Sequence, residues 1–587
     1  MAVCQVCEHF LCAEATVVRC NGRCQRRVHP WCSRTSGIML VGNGNELYWF
    51  CDGCRRGLCP AVQDTGNTSG PLQDTLRKLT RRMDTMDDSL RRLERSRGGA
   101  AAGKPNLPDL PELPVEIWTE VFKGLSANQV LRIRLVCRRW KGIVDGSSVL
   151  MGKFTASFRD LAIDGDYEPV NLLPVFNVKF KDAKIRAVGT WWKAFGPSLT
   201  TIRIGKDCWI KPSVLMEMLK HVPNLKTLKL VNIILDLSFH ETNVVPDFQL
   251  TKLEGLTIAG IEEDYFYEDV LKLCCNLKSL RFDYKNFAPP EAARSVAGLH
   301  NTLEELHLNA TEEFLAELME LDRLKLKKLT LAGNEIEDKS VIIEFCKLQP
   351  DLEYLDVQDS LHLDEINEAY CNDFFQYFRK LEYLSICLGS NCQTGLTFLA
   401  HLTRLQSLDL AGRHQDYPSC LAACSQLPNL RQLKLRDINF PDTALQQWLT
   451  KVPNLRAITI KDCKFDCWSD LLEALESVKL LECATLKGIT KVSETPFYYH
   501  AEFTALKSLH LSVCEMSPDF LGKLLGLCPG LREFRAKHVK FDAEKLGIVC
   551  RELTQLDKLV FACCKLPKNA KNYVRENCRS LTELNIS

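Results

Sequence analysis

The carboxyl-terminal two thirds of the chain is dominated by one hydrophobic pattern. From about Val175 to Ser587, apolar residues return as L-x2-L-x-L, mostly every 23 to 29 residues, with other apolar residues sometimes replacing a leucine. Instances begin at Leu199, Leu225, Leu253, Leu277, Leu303, Leu326, Leu352, Leu381, Leu405, Leu430, Leu455, Leu506, Leu531, Leu556 and Leu581, with a weaker one near Val478 to Cys483. Apolar and polar positions alternate within each instance, as in Leu506, Leu509 and Leu511, which predicts a short strand facing inward. A Cys or Asn often closes the turn, as at Cys514, Cys463, Asn334 and Asn232, and a helix runs back, as over Pro518 to Cys528. A unit this small cannot bury both of its faces, so neighbours stack and share one core. The period therefore predicts an α/β solenoid over 175–587, horseshoe-like, with its functional surface on the concave parallel sheet. Lys226, Thr227, Lys229, Glu304, Glu305, His307, Arg431, Gln432, Lys434 and Arg436 lie between strand leucines and should project there. An unidentified protein target is the partner expected on that face.

Upstream, the spacing changes. Leu72, Leu76, Leu79, Met83, Met86, Leu90 and Leu93 recur at alternating steps of four and three, an a/d seam within 70–97 that predicts a short coiled coil. Arg82 and Asp87 fall at g and e, facing each other in a parallel homodimer zipped through 72–93. Gly, Ala and Pro then dominate 98–112, an extended linker. Over 113–154, Pro114 suits a first helical turn, with Ile117, Val121, Phe122 and Leu125 following at helical spacing. Ser126 can cap a second helix bearing Val130 and Leu131, and a third could carry Leu135, Val136, Trp140 and Ile143.

Composition excludes several classes. The chain holds 75 basic and 74 acidic residues, net +1, without the basic excess of a protein that grips nucleic acid by its phosphates. No apolar run reaches the roughly 18 residues of a membrane span, and Met1 to Cys12 lacks the order of a signal peptide. A soluble intracellular protein, in the nucleus or cytoplasm, is expected. The 28 cysteines fit reduced thiols and metal thiolates in that setting.

Residues 1–60 read Cys4-x2-Cys7-x12-Cys20-x3-Cys24-x4-His29-x2-Cys32-x18-Cys51-x2-Cys54, eight ligands in four pairs, enough for two tetrahedral zinc sites. So short a segment buries too little apolar surface to fold alone, and each structural zinc would add about 10–16 kcal/mol. The ligand order, with Trp49 two residues before Cys51, resembles a PHD finger. That resemblance implies interleaved pairs: Cys4, Cys7, His29 and Cys32 on one Zn2+, Cys20, Cys24, Cys51 and Cys54 on the other, both structural. RING-CH fingers share the order but space it differently. The family's methyl-lysine cage does not carry over, because Arg27 and Glu14 stand where a Trp and a Tyr often sit and only Phe10 is near. Similar fingers followed by coiled coils occur in insect Gag-like proteins, which implies an assembly role. A histone tail is the partner if the finger reads chromatin instead.

Over 113–154, Leu113-Pro114, Glu116-Ile117, Phe122, Leu125, Leu135-Val136-Cys137 and Arg139-Trp140 resemble the F-box consensus along its whole length, with Phe154 where a last helical Trp is common. The resemblance implies a Skp-family adaptor, linked to a cullin scaffold, on an apolar surface formed or supported by Leu113, Pro114, Ile117, Phe122, Leu125, Leu131 and Val136. The repeats, with second cysteines such as Cys528 and Cys578, resemble those of F-box/leucine-rich-repeat proteins. The implied function is substrate recognition in a cullin-type ubiquitin ligase, without catalysis by the chain itself. The alternative is a chromatin-associated reader or scaffold led by the finger. F-box histone demethylases combine the same modules with a jumonji iron site. Here His414-Gln415-Asp416 has the His-x-Asp spacing, but it falls just past a repeat strand, where a surface loop is expected, and no length remains for a jumonji barrel. No Gly-x4-Gly-Lys-Ser/Thr or Gly-x-Ser-x-Gly motif occurs.

Overall fold

The computed structural model describes 114–169 and 175–586, with breaks at 237–246, 261–265, 284–290, 322–323, 333–335, 367, 390–395, 417–425, 442, 490–493, 495–501 and 579. Before residue 114 it describes only the backbone of four short strands, Val18–Arg19, Arg27–Val28, Gly37–Val41 and Leu47–Cys51. The zinc-ligand side chains, the heptads of 70–97, the linker at 98–112 and Leu113 lie outside the described residues. The chain divides into two compact units, Met1–Asn224 and Leu225–Ser587.

In the first unit, four helices follow Pro114: α1 (Val115–Lys123), α2 (Ala127–Arg134), α3 (Arg138–Gly146) and the single turn α4 (Ser148–Met151). Ser126 opens α2 through a capping box with Gln129, which satisfies amides that the helix cannot. The helix stops at Arg134, so Leu135 and Val136 lie in the turn before α3 and not on a third helix. The Cys137 thiol takes the Trp140 amide at 3.4 Å, and this cap starts α3 at Arg138, three residues after the Leu135 that the apolar spacing places on it. The Lys153 ammonium donates to the carbonyls of Lys123 (2.7 Å) and Leu125 (2.6 Å), oxygens left over at the end of α1. Phe154 is buried but lies past α4, one residue before a strand, and not in a helix.

That strand corrects the start of the array. β1 (Thr155–Arg159), β2 (Asn177–Lys181) and β3 (Thr201–Ile210) form one parallel sheet, so the repeats begin at Thr155 directly behind the helices, not at Val175. Ala156 and Phe158 supply the inward positions. The leading leucine is absent because Lys153 holds its place, and its ammonium is occupied with the α1 carbonyls.

In the second unit the strands of three residues or more are β4 (Thr227–Leu235), β5 (Gly255–Ala259), β6 (Ser279–Asp283), β7 (Glu305–Asn309), β8 (Lys328–Ala332), β9 (Tyr354–Asp356), β10 (Tyr383–Cys387), β11 (Ser407–Asp416), β12 (Gln432–Phe440), β13 (Ala457–Lys461), β14 (Cys483–Lys487), β15 (Ser508–Ser512), β16 (Glu533–Lys537), β17 (Lys558–Ala562) and β18 (Glu583–Ile586). Each pairs in parallel with the next, leucine position against leucine position, as in Leu408↔Leu433↔Ile458. These inward residues are almost wholly buried. At about 1.5–3 kcal/mol for each buried side chain, they are the main stabilising term of a repeat. The weak instance is displaced from its expected place: β14 rests on Leu481, Ala484 and Leu486, and Val478 is buried just past the helix Trp468–Glu476 that precedes it. His414-Gln415-Asp416 continues β11 after an irregularity and is not a loop.

The turns repeat as faithfully as the strands. Seven residues after the first leucine, Asn232, Asp437, Asp462, Val513, His538 and Cys563 adopt φ of +51° to +56°, and Gly488 at the same place in its repeat is also left-handed, at +68°. Asn232 thus holds this left-handed place, and Ile233 takes the buried one that Cys463 and Cys514 fill elsewhere. There the Cys514 thiol donates to the Leu486 carbonyl of the preceding strand at 3.4 Å. Asn276, Asn429 and Asn454, each just before a first leucine, donate to Thr251, Thr403 and Pro428 carbonyls one repeat back, at 2.7–2.8 Å. Cysteine here is a small buried hydrophobe with a weak donor. Among the described residues no helix is long and apolar enough to cross a membrane.

Candidate functional site

A solvent-facing apolar surface is costly to maintain without a partner. Six of the fourteen exposed large hydrophobics among the described residues fall between 115 and 149: Val115, Ile117, Val121, Leu135, Val136 and Val149. Their exposure follows from what fills the core beneath them. Phe122 packs against Trp118 and Trp140, with ring centroids 5.6 and 5.4 Å away, and Leu131, Val130, Ile143 and Val144 close the interior. A fork from Arg134 to Asp145 fixes α2 against α3, one arm at 3.1 Å.

The sequence-derived adaptor set therefore separates into two groups. Pro114, Ile117 and Val136 are exposed and can touch a partner directly. Phe122 and Leu131 are buried and can only support that surface, while Leu125 is half-buried. Val121 and Leu135 belong with the exposed group. Their helical spacing could have flagged Val121, which sits one turn from Ile117.

On the strand face of the second unit, the residues expected to project are mostly solvated or paired along the surface. Lys226 and Lys229 are exposed, Glu304 meets Lys327 at 3.1 Å, and Glu305 meets Lys328 at 2.5 Å. Lys434 and Arg436 differ. Both reach Asp409, a carboxylate only 3% exposed, at 2.7 and 3.0 Å. Asp409 shares its register with Asp356 and Ser385, and Ser385 is itself buried. Two residues earlier in each strand, on the same face, the rings of Tyr354 and Tyr383 stack at 4.1 Å, 3° from parallel. Burial pushes the Asp356 carboxyl up, and the Asp409 charge adds to the effect. The Tyr383 phenol is raised by burial, then by Tyr354 and Asp409. Packed rings beside the half-covered Asp356 carboxyl are suited to hold a side chain offering a positive charge or hydrogen-bond donors. Sequence reasoning missed Asp356, Tyr354, Tyr383, Ser385 and Asp409. The available signal was tyrosine at one register position in two successive repeats.

A family model described as F-box-like matches residues 110–151. No curated protein matches the chain. Among solved structures, the chain is similar to one titled "Crystal structure of TLR13-ssRNA13 complex", at 15% identity over 73% of each chain with a TM-score of 0.40. It is also similar to an internalin from Listeria monocytogenes, at 16% identity over 67% of this chain and 88% of that one, TM-score 0.30. The leucine-rich-repeat character rests on the chain's own parallel ladder and buried leucines.

Proposed function

We propose that this chain, an F-box-like helical domain followed by a leucine-rich-repeat-type parallel solenoid, is the substrate-recognition subunit of a cullin-type ubiquitin ligase. The helical domain docks a Skp-family adaptor, and the solenoid holds the protein to be modified. The observation that carries the reading is the concentration of solvent-facing aliphatics in residues 115–149, inside the segment matched as F-box-like, with the repeats starting at Thr155. The chain's contribution is proximity: a target lysine held near a charged conjugating enzyme gains effective concentration, with no bond made by the chain itself.

The experiment is adaptor capture by the purified chain. Ile117→Asp combined with Val136→Asp places charge where a partner would exclude water, and adaptor affinity should fall by about tenfold or more. Because both side chains already face solvent, the circular dichroism melt should stay unchanged. Phe122→Ala should instead unfold the domain, since emptying this packed aromatic site costs roughly 3–5 kcal/mol. Undiminished capture by the folded double variant, or no capture by the intact chain, would remove the ligase reading.

A further inference from the structure

The strand face of the first unit differs in charge from the paired surfaces of the second. In register, Lys179 of β2 lies beside Arg203 of β3, and Arg159 of β1 lies beside Lys181 of β2. Adjacent strands are about 4.8 Å apart, and residues two apart share a face, so these four cations occupy one patch. Asp160 and Asp182 border it. Asp160 reaches Arg159 at 3.8 Å, and Asp182 reaches Arg159 at 3.8 Å and Lys181 at 3.7 Å. Lys179 and Arg203 have no carboxylate within 4 Å among the described residues. At the equivalent register position of the second unit, Lys434 is held by Asp409 and Arg535 by Glu533, while Lys229 of β4 is exposed but lies beside the uncharged Thr257 of β5. Lys179 is half-buried, and its ammonium is pushed down by burial and then by Arg203, Lys181 and Arg159. The fold thus keeps an uncompensated charge where neutral residues would be more stable. Further along β3, past the left-handed residues Lys206 and Asp207 and six residues from Arg203, Trp209 stands 41% exposed with the Lys184 ammonium 4.9 Å from its ring, an apolar surface that a peptide extended along the strand would reach.

We propose that this face binds a carboxylate-rich segment of a protein, Lys179 and Arg203 taking successive side-chain carboxylates and Trp209 packing against the adjoining chain. Charge complementarity selects the occupant. A long polyanion such as nucleic acid would run on into Asp160 and Asp182, which stand side by side past the carboxyl ends of β1 and β2, whereas a short run of glutamates or aspartates can end before them. Naming the segment as part of a ligase target rests on the preceding reading; the binding itself does not.

The test uses the full chain and a fluorescein-labelled octaglutamate peptide, followed by anisotropy at low salt. Saturable binding is expected, weakening as salt screens it, with no binding of octaglutamine. Lys179→Glu with Arg203→Glu should weaken it at least tenfold, and Lys523→Glu, on the exposed side of a second-unit helix, should leave it unchanged. Lys179→Met separates binding from folding: it should raise the melting temperature yet weaken the peptide. Absence of saturable binding, equal loss with Lys523→Glu, or preference for a phosphoserine octapeptide or single-stranded DNA that vanishes with Lys179→Glu would each overturn the assignment. Titrating the same samples with adaptor separates the two readings. Adaptor binding without peptide binding sinks this inference alone, and peptide binding without adaptor binding supports it while sinking the ligase role.

Discussion

Asp356 and Asp409 stand two strands apart in the same register, yet their neighbours give them opposite energetic signs. Asp409 is covered and doubly paired, to Lys434 and Arg436. Asp356 receives the Gln358 amide at 3.4 Å, the Ser385 hydroxyl beside it donates to the Gln358 side-chain oxygen at 3.2 Å, and Asp356 has no ion pair among the described residues. Its carboxyl is raised by burial, so the folded chain keeps that proton to higher pH than the unfolded one does. The associated stability is complete below the ordinary carboxyl value of about 4 and is lost as pH rises through the raised folded value. Asp356→Asn should therefore raise the melting temperature at pH 7 and flatten its decline from acid toward neutral pH. Asp409→Asn should lower it. Breaking a fully buried pair costs roughly 3–5 kcal/mol, and the loss here should be smaller because Lys434 is 42% exposed. Shifts of the same sign in a melt series from pH 4 to 7 would contradict this assignment. Neither role is legible in the sequence, where both residues are ordinary polar positions between leucines.

At the scale of the element, local spacing was a sound guide wherever a segment's own pattern decides its structure. The strand of Leu506, Leu509 and Leu511 forms as expected, and the following helix begins at Pro518 with the Ser517 hydroxyl taking the Phe520 amide at 3.1 Å. The pattern failed where a residue outside the segment intervened: Lys153 at the head of β1, and the Cys137 cap that leaves Leu135 and Val136 in a turn. The left-handed turn position gives an element-level test. At Gly488 an added Cβ would collide with the Asp462 side chain of the preceding turn, besides forcing an L-residue to φ +68°. Gly488→Ala should cost at least about 1 kcal/mol. Gly522 lies inside the Pro518–Gly526 helix, and a Cβ there meets only Ile548 Cγ2, at 3.6 Å. Gly522→Ala should stabilise by up to about 1 kcal/mol. Denaturant titration of both variants checks the pair by opposite displacement of the midpoint.

For the whole molecule, stability in a repeat array is a sum of unit and nearest-neighbour terms, so the site of damage matters. β18 is the last strand among the described residues, and its residues are largely exposed. A chain stopped after Cys578 should keep its adaptor binding and lose little of its resistance to denaturant. Leu433 and Leu435 sit buried in a strand paired on both sides. Leu433→Ala with Leu435→Ala should cost about 2–5 kcal/mol at each site and weaken the flanking repeats together, as hydrogen exchange would report. Equal losses from the two changes would show that the ladder does not behave as a chain of neighbour interfaces. The sequence by itself determined the period, the inward leucines and the order of the small helical domain, because each follows from apolar spacing within a few turns of chain. Tertiary structure alone decided that the ladder starts at Thr155, that Ile117 and Val136 face water while Phe122 and Leu131 do not, and that Asp409 lies covered while Lys179 stands uncompensated. Those outcomes depend on which side chains arrive from strands and helices a repeat or more away, and burial and charge balance arise only when such neighbours meet.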